Sequence, residues 1–263
     1  MLNKFQSPGD VAFRIFDFPV YYYGIIMAFA VFCGFCIAYL LFKKYYDKEN
    51  NIILDISSWL IIAGIIGARL YYCLVNFSYY TNKPLEIFYI RQGGLSVHGM
   101  IIGGLLALLF FSKKYKISFW KFTDVFLCGT ALAQCIGRWG NFFNSEAFGL
   151  PCNMPWKLYI PISERPLEYI NCEYFHPTFL YESILDLFIF IILLLLFKRF
   201  SNNTGVITGL YLIFYSVIRI FVESLRIDSV LNIIGIPIAQ IVSVLFLIFG
   251  ICLLFYKTEK QDI

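Results

Sequence analysis

Seven apolar runs, each near the length that crosses a lipid bilayer, leave this chain little choice of fold. They cover about Val20 to Phe42, Ile53 to Val75, Leu95 to Phe111, Phe122 to Gly140, Thr178 to Phe197, Gly205 to Val222 and Ile233 to Tyr256. A helix rises 1.5 Å per residue, so about 20 residues cross a hydrocarbon layer of about 30 Å. In lipid each backbone amide and carbonyl must be satisfied within its own segment, which selects helix for every run. The expected fold is all-α: a polytopic membrane protein of about seven transmembrane helices, forming one integral membrane domain over residues 1–263. Residues 141–177 are polar and broken by Pro151, Pro155, Pro161, Pro166 and Pro177, so they form a small segment outside the bilayer between spans four and five. An apolar share of 60%, against about 45–50% in a soluble domain, agrees with this class. The formal net charge of +4 makes no case for a nucleic-acid partner.

Charge placement sets the expected orientation. Lys43, Lys44 and Lys48, then Lys113, Lys114, Lys116 and Lys121, then Lys198 and Arg199, and finally Lys257 and Lys260 hug span ends on one face. Short lysine-rich loops of this kind stay in the cytoplasm. The expected C-terminus is therefore cytoplasmic, the N-terminus is outside, and residues 141–177 are an extracytoplasmic head segment. Residues 1–18 lack the basic-then-apolar layout of a cleavable signal peptide. Cys33-Gly-Phe-Cys36 falls inside an apolar run and reads as packing rather than redox chemistry. Cys152 and Cys172 are a candidate pair if the head faces an oxidising exterior.

With this orientation the unusual polar residues gather at the outer ends of their spans. Tyr23 opens the first, Arg69 is near the end of the second, and His98 opens the third. Arg138 closes the fourth, His176, Tyr181 and Glu182 open the fifth, and Arg219 and Glu223 close the sixth. The densest stretch is Gly137 to Gly149, Gly-Arg-Trp-Gly-Asn-Phe-Phe-Asn-Ser-Glu-Ala-Phe-Gly. Its glycines allow close backbone approach, while Asn141, Asn144 and Glu146 supply donors and an acceptor at fixed offsets. Two arginines at an interface suit a phospholipid headgroup, since guanidinium forks bind phosphate bidentately and keep their charge. Arg219, Glu223 and Arg226 fall at i, i+4 and i+7, on one helical face; as structure alone this is an ion pair with Arg226 in solvent. His98 lies in Gly-Gly-Leu-Ser-Val-His-Gly-Met-Ile-Ile-Gly, where Gly99 and Gly103 can serve close helix packing and His98 either bonds a neighbour or carries a proton. No metal-ligand cluster or glycine-rich nucleotide loop is present in the sequence, so neither metal nor cofactor is expected.

The run from Gly137 to Gly149 resembles the Gly-Arg-x-Gly-Asn-Phe-x-Asn-x-Glu-x-x-Gly signature of bacterial prolipoprotein diacylglyceryl transferases. The segment around His98 resembles that family's Gly-Gly-x-x-x-His-Gly run, with Met100 where a second glycine is common. Residues 215–226 resemble its second arginine region, Arg69 after Gly67 and Ala68 also matches, and the resemblance singles out Tyr23. His176-Pro177 with Tyr181-Glu182 resembles a further motif, assigned to supporting the head segment. The resemblance implies transfer of the diacylglyceryl group of phosphatidylglycerol to the lipobox cysteine thiol of a preprolipoprotein. A thioether forms and glycerol 1-phosphate leaves. Arg138 and Arg219 are expected to bind the phosphate and stabilise its developing charge, and Asn141, Asn144, Gly149, Glu223 and Arg69 are the further expected substrate-binding residues, with Asn141, Asn144 and Gly149 positioning lipid or loop. The thiol proton goes to His98, with Tyr23 and Glu146 as rivals. The setting is a bacterial cytoplasmic membrane, with the site near the outer leaflet. A transporter or another headgroup enzyme would share the intramembrane charges. A transporter, however, places its site at midplane and shows internal repeats, which this sequence lacks.

Overall fold

The computed structural model describes residues 4–46, 52–90, 93–227, 232–233 and 236–259. Of the charged residues used to set orientation, Lys48 and Lys260 lie outside these. The structure is built from helices joined by short strands. In chain order they are β1 (Val11–Ile15), β2 (Phe18–Tyr21), α1 (Tyr22–Tyr45), α2 (Ile52–Val75), α3 (Phe77–Asn82), α4 (Val97–Tyr115), α5 (Phe119–Phe143), β3 (Leu158–Tyr159), β4 (Tyr174–Phe175), α6 (Thr178–Phe200), α7 (Val206–Glu223), β5 (Asn232–Ile233), β6 (Ile236–Pro237) and α8 (Ile238–Glu259). The strands form three separate antiparallel pairs. Six helices, α1, α2, α4, α6, α7 and α8, have the length and hydropathy of membrane spans. The fourth expected span, α5, has the length but not the apolarity, because it carries Lys121, Asp124, Gln134, Arg138 and Asn141. A helix packed inside protein tolerates such residues, and Cys128 and Ala131 of α5 are fully buried.

The element ends differ from the expected ones for local reasons. Residues 18–21, expected partly within span one, pair with β1 through a two-residue turn at Phe16 and Asp17, both in the left-handed region. That turn geometry matches the twist of a tight hairpin. Helix α4 runs past the expected end at Phe111 through Lys113 and Lys114 and stops at Lys116, which caps it with φ 55°. Lysines complement the negative end of a helix and snorkel, so they extend the span rather than end it. The last span begins at Ile238 rather than Ile233, since Ile236 and Pro237 belong to β6.

The chain divides into two units, Met1–Ala38 with Phe126–Ile263, and Tyr39–Val125. In the second, α2 packs on α4 through glycines. A Cβ on Gly99 would meet the Gly67 carbonyl, and one on Gly103 the Ala63 carbonyl, so the Gly99-Gly103 spacing serves close packing. In the first unit Gly209 and Gly250 play the same part between α7 and α8. Where α5 ends and α6 begins, this unit has a core of Phe142, Phe148, Leu158, Ile160, Phe175 and Phe179, with Phe5 stacked on Phe142 at 5.5 Å. Residues 141–177 therefore pack together with Phe5 and the first turn of α6. Cys152 and Cys172, the candidate disulfide pair, both carry free thiols.

Candidate functional site

The site begins where α5 ends. Leaving the helix, the chain turns so tightly that Ser145 (φ 55°) and Ala147 (φ 56°) both enter the left-handed region, where side chains other than glycine are strained. Three backbone bonds close the turn: Asn144 N–H to the Gly140 carbonyl, Ser145 N–H to Phe142, and Glu146 N–H to Asn141 at 3.0 Å. The strain presents Glu146 outward. Its Oε1 accepts from the amides of Asn141 (3.0 Å) and Asn144 (3.2 Å), which leaves Oε2 open. Tyr23, in the first turn of α1, packs its ring on Gly140, where a Cβ would sit 2.9 Å from Cδ2. The signature glycine thus makes room for the tyrosine that the family resemblance singles out. Tyr23, Asn144 and Glu146 line a cleft of about 730 Å³ with Asp10, Tyr21 and Glu164. Gly149 is fully enclosed: it donates to the His176 carbonyl at 2.8 Å, and a Cβ there would lie 2.7 Å from the Leu225 carbonyl oxygen.

One turn back on α5 is Arg138, whose guanidinium meets Glu182 of α6. Glu182 is 2% exposed and is shared: its Oε1 is 2.6 Å from Arg219 Nη1 on α7 and 3.7 Å from Arg226 Nη1. Arg219 also pairs with Glu223 at 2.6 Å. The expected ion pair on α7 is present. Arg226, placed in solvent by that reading, instead points at Glu182 with 13% of its side chain exposed. Arg138 has Glu182 as its one polar partner among the described residues, so most of its five N–H donors are not used by protein. Tyr23 lies within electrostatic reach of both Glu146 and Arg138, which joins the arginine cluster to the cleft.

The structure thus brings Tyr23, Arg138, Asn141, Asn144, Glu146, Arg219 and Glu223 into one unit, with Gly149 packed behind them. Arg69 and His98 belong to the other unit. His98, near the start of α4, is exposed and stands beside Tyr71 with ring centroids 6.0 Å apart. Arg69 is 8% exposed, and its donors go to the carbonyls of Ile87 (2.8 Å), Gly93 (3.0 Å), Gly94 (3.0 Å) and Glu86 (2.5 Å). It ties the loop after α3 to α2.

Sequence reading gave Glu182 too small a part. Assigned to supporting the head, it is the common counter-ion of the arginines. Asp186, one turn further on, was passed over. The available signal was a pair of carboxylates at i and i+4 inside an otherwise apolar 23-residue helix, a costly arrangement that marks function. The neighbouring His176 and Tyr181 do support the head: Trp156 Nε1–H donates to the Tyr181 hydroxyl at 2.8 Å, which lies 3.1 Å from His176 Nδ1.

Comparison with known proteins gives the site a family. The model of the family described as prolipoprotein diacylglyceryl transferase matches residues 10–256. A phosphatidylglycerol–prolipoprotein diacylglyceryl transferase of Synechococcus elongatus is 45% identical over 253 residues, 94% of this chain and 87% of the relative. One of a Synechocystis species is 46% identical over 254 residues, 94% and 89% of the two chains, and one of Parasynechococcus marenigrum is 39% identical over 270 residues, 98% and 97%. With nearly its whole length matched at this identity, the chain belongs to the prolipoprotein diacylglyceryl transferase family of membrane enzymes.

Proposed function

We propose that this protein transfers the diacylglyceryl group of phosphatidylglycerol to the lipobox cysteine thiol of a preprolipoprotein, the first step of lipoprotein maturation. The sulfur attacks the glycerol carbon that bears the phosphate. A C–S thioether bond forms, the C–O bond breaks, and glycerol 1-phosphate leaves with the bonding electron pair. The observation that carries this reading is the unfilled donor set of Arg138, held by Glu182 beside Arg219 and within reach of the Tyr23–Glu146 cleft. Guanidinium donors facing a low-dielectric site are suited to a phosphate whose negative charge grows as it leaves.

The remaining roles follow from geometry and chemistry. Asn141 and Asn144 orient Glu146, while Glu223 holds Arg219 from one turn further along α7. Gly149 positions the turn by its close packing, and Arg69 positions the loop it ties down. A thiol with a pKa of about 8.5 is mostly protonated at neutral pH, so an acceptor is needed. Tyr23 and Glu146, with its open Oε2, stand in the cleft, and His98 is the third candidate. No cofactor, metal or nucleic acid enters the scheme.

The protein spans the bacterial cytoplasmic membrane seven times, with α5 among the spans. Its N-terminus is outside, its C-terminus is cytoplasmic and its site is near the outer leaflet. Residues 141–177 form the extracytoplasmic head of one integral membrane domain. The test is transfer of label to a lipobox peptide by purified protein from phosphatidylglycerol radiolabelled in the glycerol of its diacylglyceryl group. Label on the peptide, lost with Arg138→Ala and with a Cys-to-Ser peptide, is the expected result. No label from folded protein in lipid would overturn the assignment.

A further inference from the structure

Ahead of its first span the chain builds a hairpin that turns apolar side chains outward. The register pairs Phe13 with Val20 and Ile15 with Phe18, so these four share one face, while Arg14 and Pro19 share the other. Phe13, Ile15 and Phe18 are all exposed, Phe18 at 77%. The tip is unusual as well. A two-residue turn of this hand favours Asn-Gly or Asp-Gly, because both residues need a positive φ. Here the first of them is Phe16, a bulky residue held at φ 44° and 94% exposed. An aromatic ring so exposed contributes nothing to the core, and backbone strain of this kind is retained where it serves a function.

The place of the hairpin in the chain says what covers this face. Strand β2 ends at Tyr21 and α1 begins at Tyr22, so no linker carries the hairpin away from the span. Tyr22 N–H donates to the Asp10 carbonyl at 2.9 Å, and the Tyr22 ring stacks on Phe143 at 4.2 Å, which fixes the hairpin base to the ends of α1 and α5. Four residues of strand extend about 13 Å, and the headgroup layer beyond the hydrocarbon is about 5–8 Å deep. The apolar face is therefore within a strand's length of lipid. Helix α1 also exposes large apolar side chains, Phe29 and Phe32 among them, so such side chains mark both the span and the hairpin that leads into it. Aromatic rings on one face and an arginine on the other suit a bilayer surface, where rings enter among the chains and a guanidinium meets lipid phosphate. A peptide partner would be read by the strand edge through backbone bonds and has no need of an aromatic tip.

We propose that the hairpin of β1 and β2 is a lipid anchor: the face of Phe13, Ile15 and Phe18, with the Phe16 ring, enters the bilayer surface beside the start of α1, and Arg14 turns to the lipid phosphates. The anchor holds Asp10, Tyr21 and Tyr23, which line the cleft at its base, at the level of the lipid. It requires that α1 crosses the bilayer and is independent of the transfer chemistry proposed above.

The test is photo-cross-linking of the full chain in vesicles of phosphatidylglycerol and phosphatidylethanolamine with tritiated acyl chains. The photoreactive amino acid p-benzoylphenylalanine replaces Phe16, Phe18, Arg14 or, as a reference within α1, the exposed Phe32. Each variant is irradiated with and without a lipobox peptide. The expected result is tritium on the protein at Phe16 and Phe18 to the level seen at Phe32, several-fold above that at Arg14 and undiminished by the peptide. Label at Phe16 and Phe18 no higher than at Arg14 overturns the anchor. So does cross-linking to the peptide, or to a second copy of the chain, in place of lipid. If the photoreactive variants do not accumulate in membranes, Phe16→Trp supplies a second reading. Phospholipid brominated on its acyl chains should quench the added emission, and added emission that stays unquenched overturns the anchor.

Discussion

Arg69 and Arg138 are the same residue in the same kind of place, near the end of a hydrophobic helix, yet the structure uses them in opposite ways. Arg69 turns its guanidinium onto four backbone carbonyls. Those acceptors are neutral and belong to one loop, so the arginine is consumed in holding that loop. Arg138 meets a single carboxylate, which it shares with two other arginines, and keeps donors available. A charge near a membrane face is thus a structural tie or a binding group according to its acceptors. Carbonyls leave the positive charge in place but take four of the five donors. A shared carboxylate balances the charge and leaves donors over.

Substitutions can break this contrast or sharpen it. The largest effect is expected at Arg138: Arg138→Lys keeps the charge and loses the fork, so transfer to a lipobox peptide should fall about 100- to 1000-fold with little change in melting temperature. Near-normal turnover would mean that a point charge suffices. Next comes Glu182→Gln, which leaves guanidiniums facing a neutral amide. Removing one side of a buried ion cluster costs about 3–5 kcal/mol, and denaturant unfolding should show a loss of that order together with lost activity. An unchanged midpoint would show that the arginines find other anions. Arg69→Gln should have the reverse profile of Arg138→Lys. Loss of charged hydrogen bonds to carbonyls should destabilise by about 2 kcal/mol, while the folded enzyme keeps its KM for phosphatidylglycerol. A raised KM with stability intact would return Arg69 to the substrate site.

The smallest effect is a pH dependence in the loop that Arg69 ties down. The Tyr79 hydroxyl donates to Glu86 at 2.5 Å and Lys83 pairs with it at 3.2 Å, and these bonds hold the Glu86 carboxyl below its ordinary range. A depressed carboxylate pKa gives stability that is present above the unfolded value and lost as pH falls through the folded one. Protease nicking of the loop should therefore rise only at pH below the usual carboxylate range. Glu86→Gln should remove that dependence and leave the Arg69 bonds, which are made to the Glu86 backbone carbonyl, in place.

Some of the site was legible from local chemistry alone. Gly137 to Gly149 announces a tight polar turn because glycines, amides and a carboxylate recur at short offsets, and the structure builds that turn with Glu146 held by Asn141 and Asn144. The Arg219–Glu223 pair was legible because i and i+4 share a helical face. The Gly99–Gly103 spacing pointed equally to close packing. Glu182 was harder to read, since its importance comes from partners on other helices, one of them 37 residues away. The fate of Arg69 was also hidden, because carbonyl acceptors are present in every loop and leave no mark in residue identity.

By itself, then, the amino-acid sequence determined the helical membrane class, the approximate spans and the polar signature. Hydrophobic length and short-range spacing are properties of contiguous residues. Only the tertiary structure decided that α5, the least apolar of the long helices, is packed within protein, and that Glu182 is the meeting point of three arginines. It alone separated the arginine that holds a loop from the arginine that keeps its donors. Those outcomes depend on which elements face each other, and a guanidinium takes its role from the acceptors that packing brings to it.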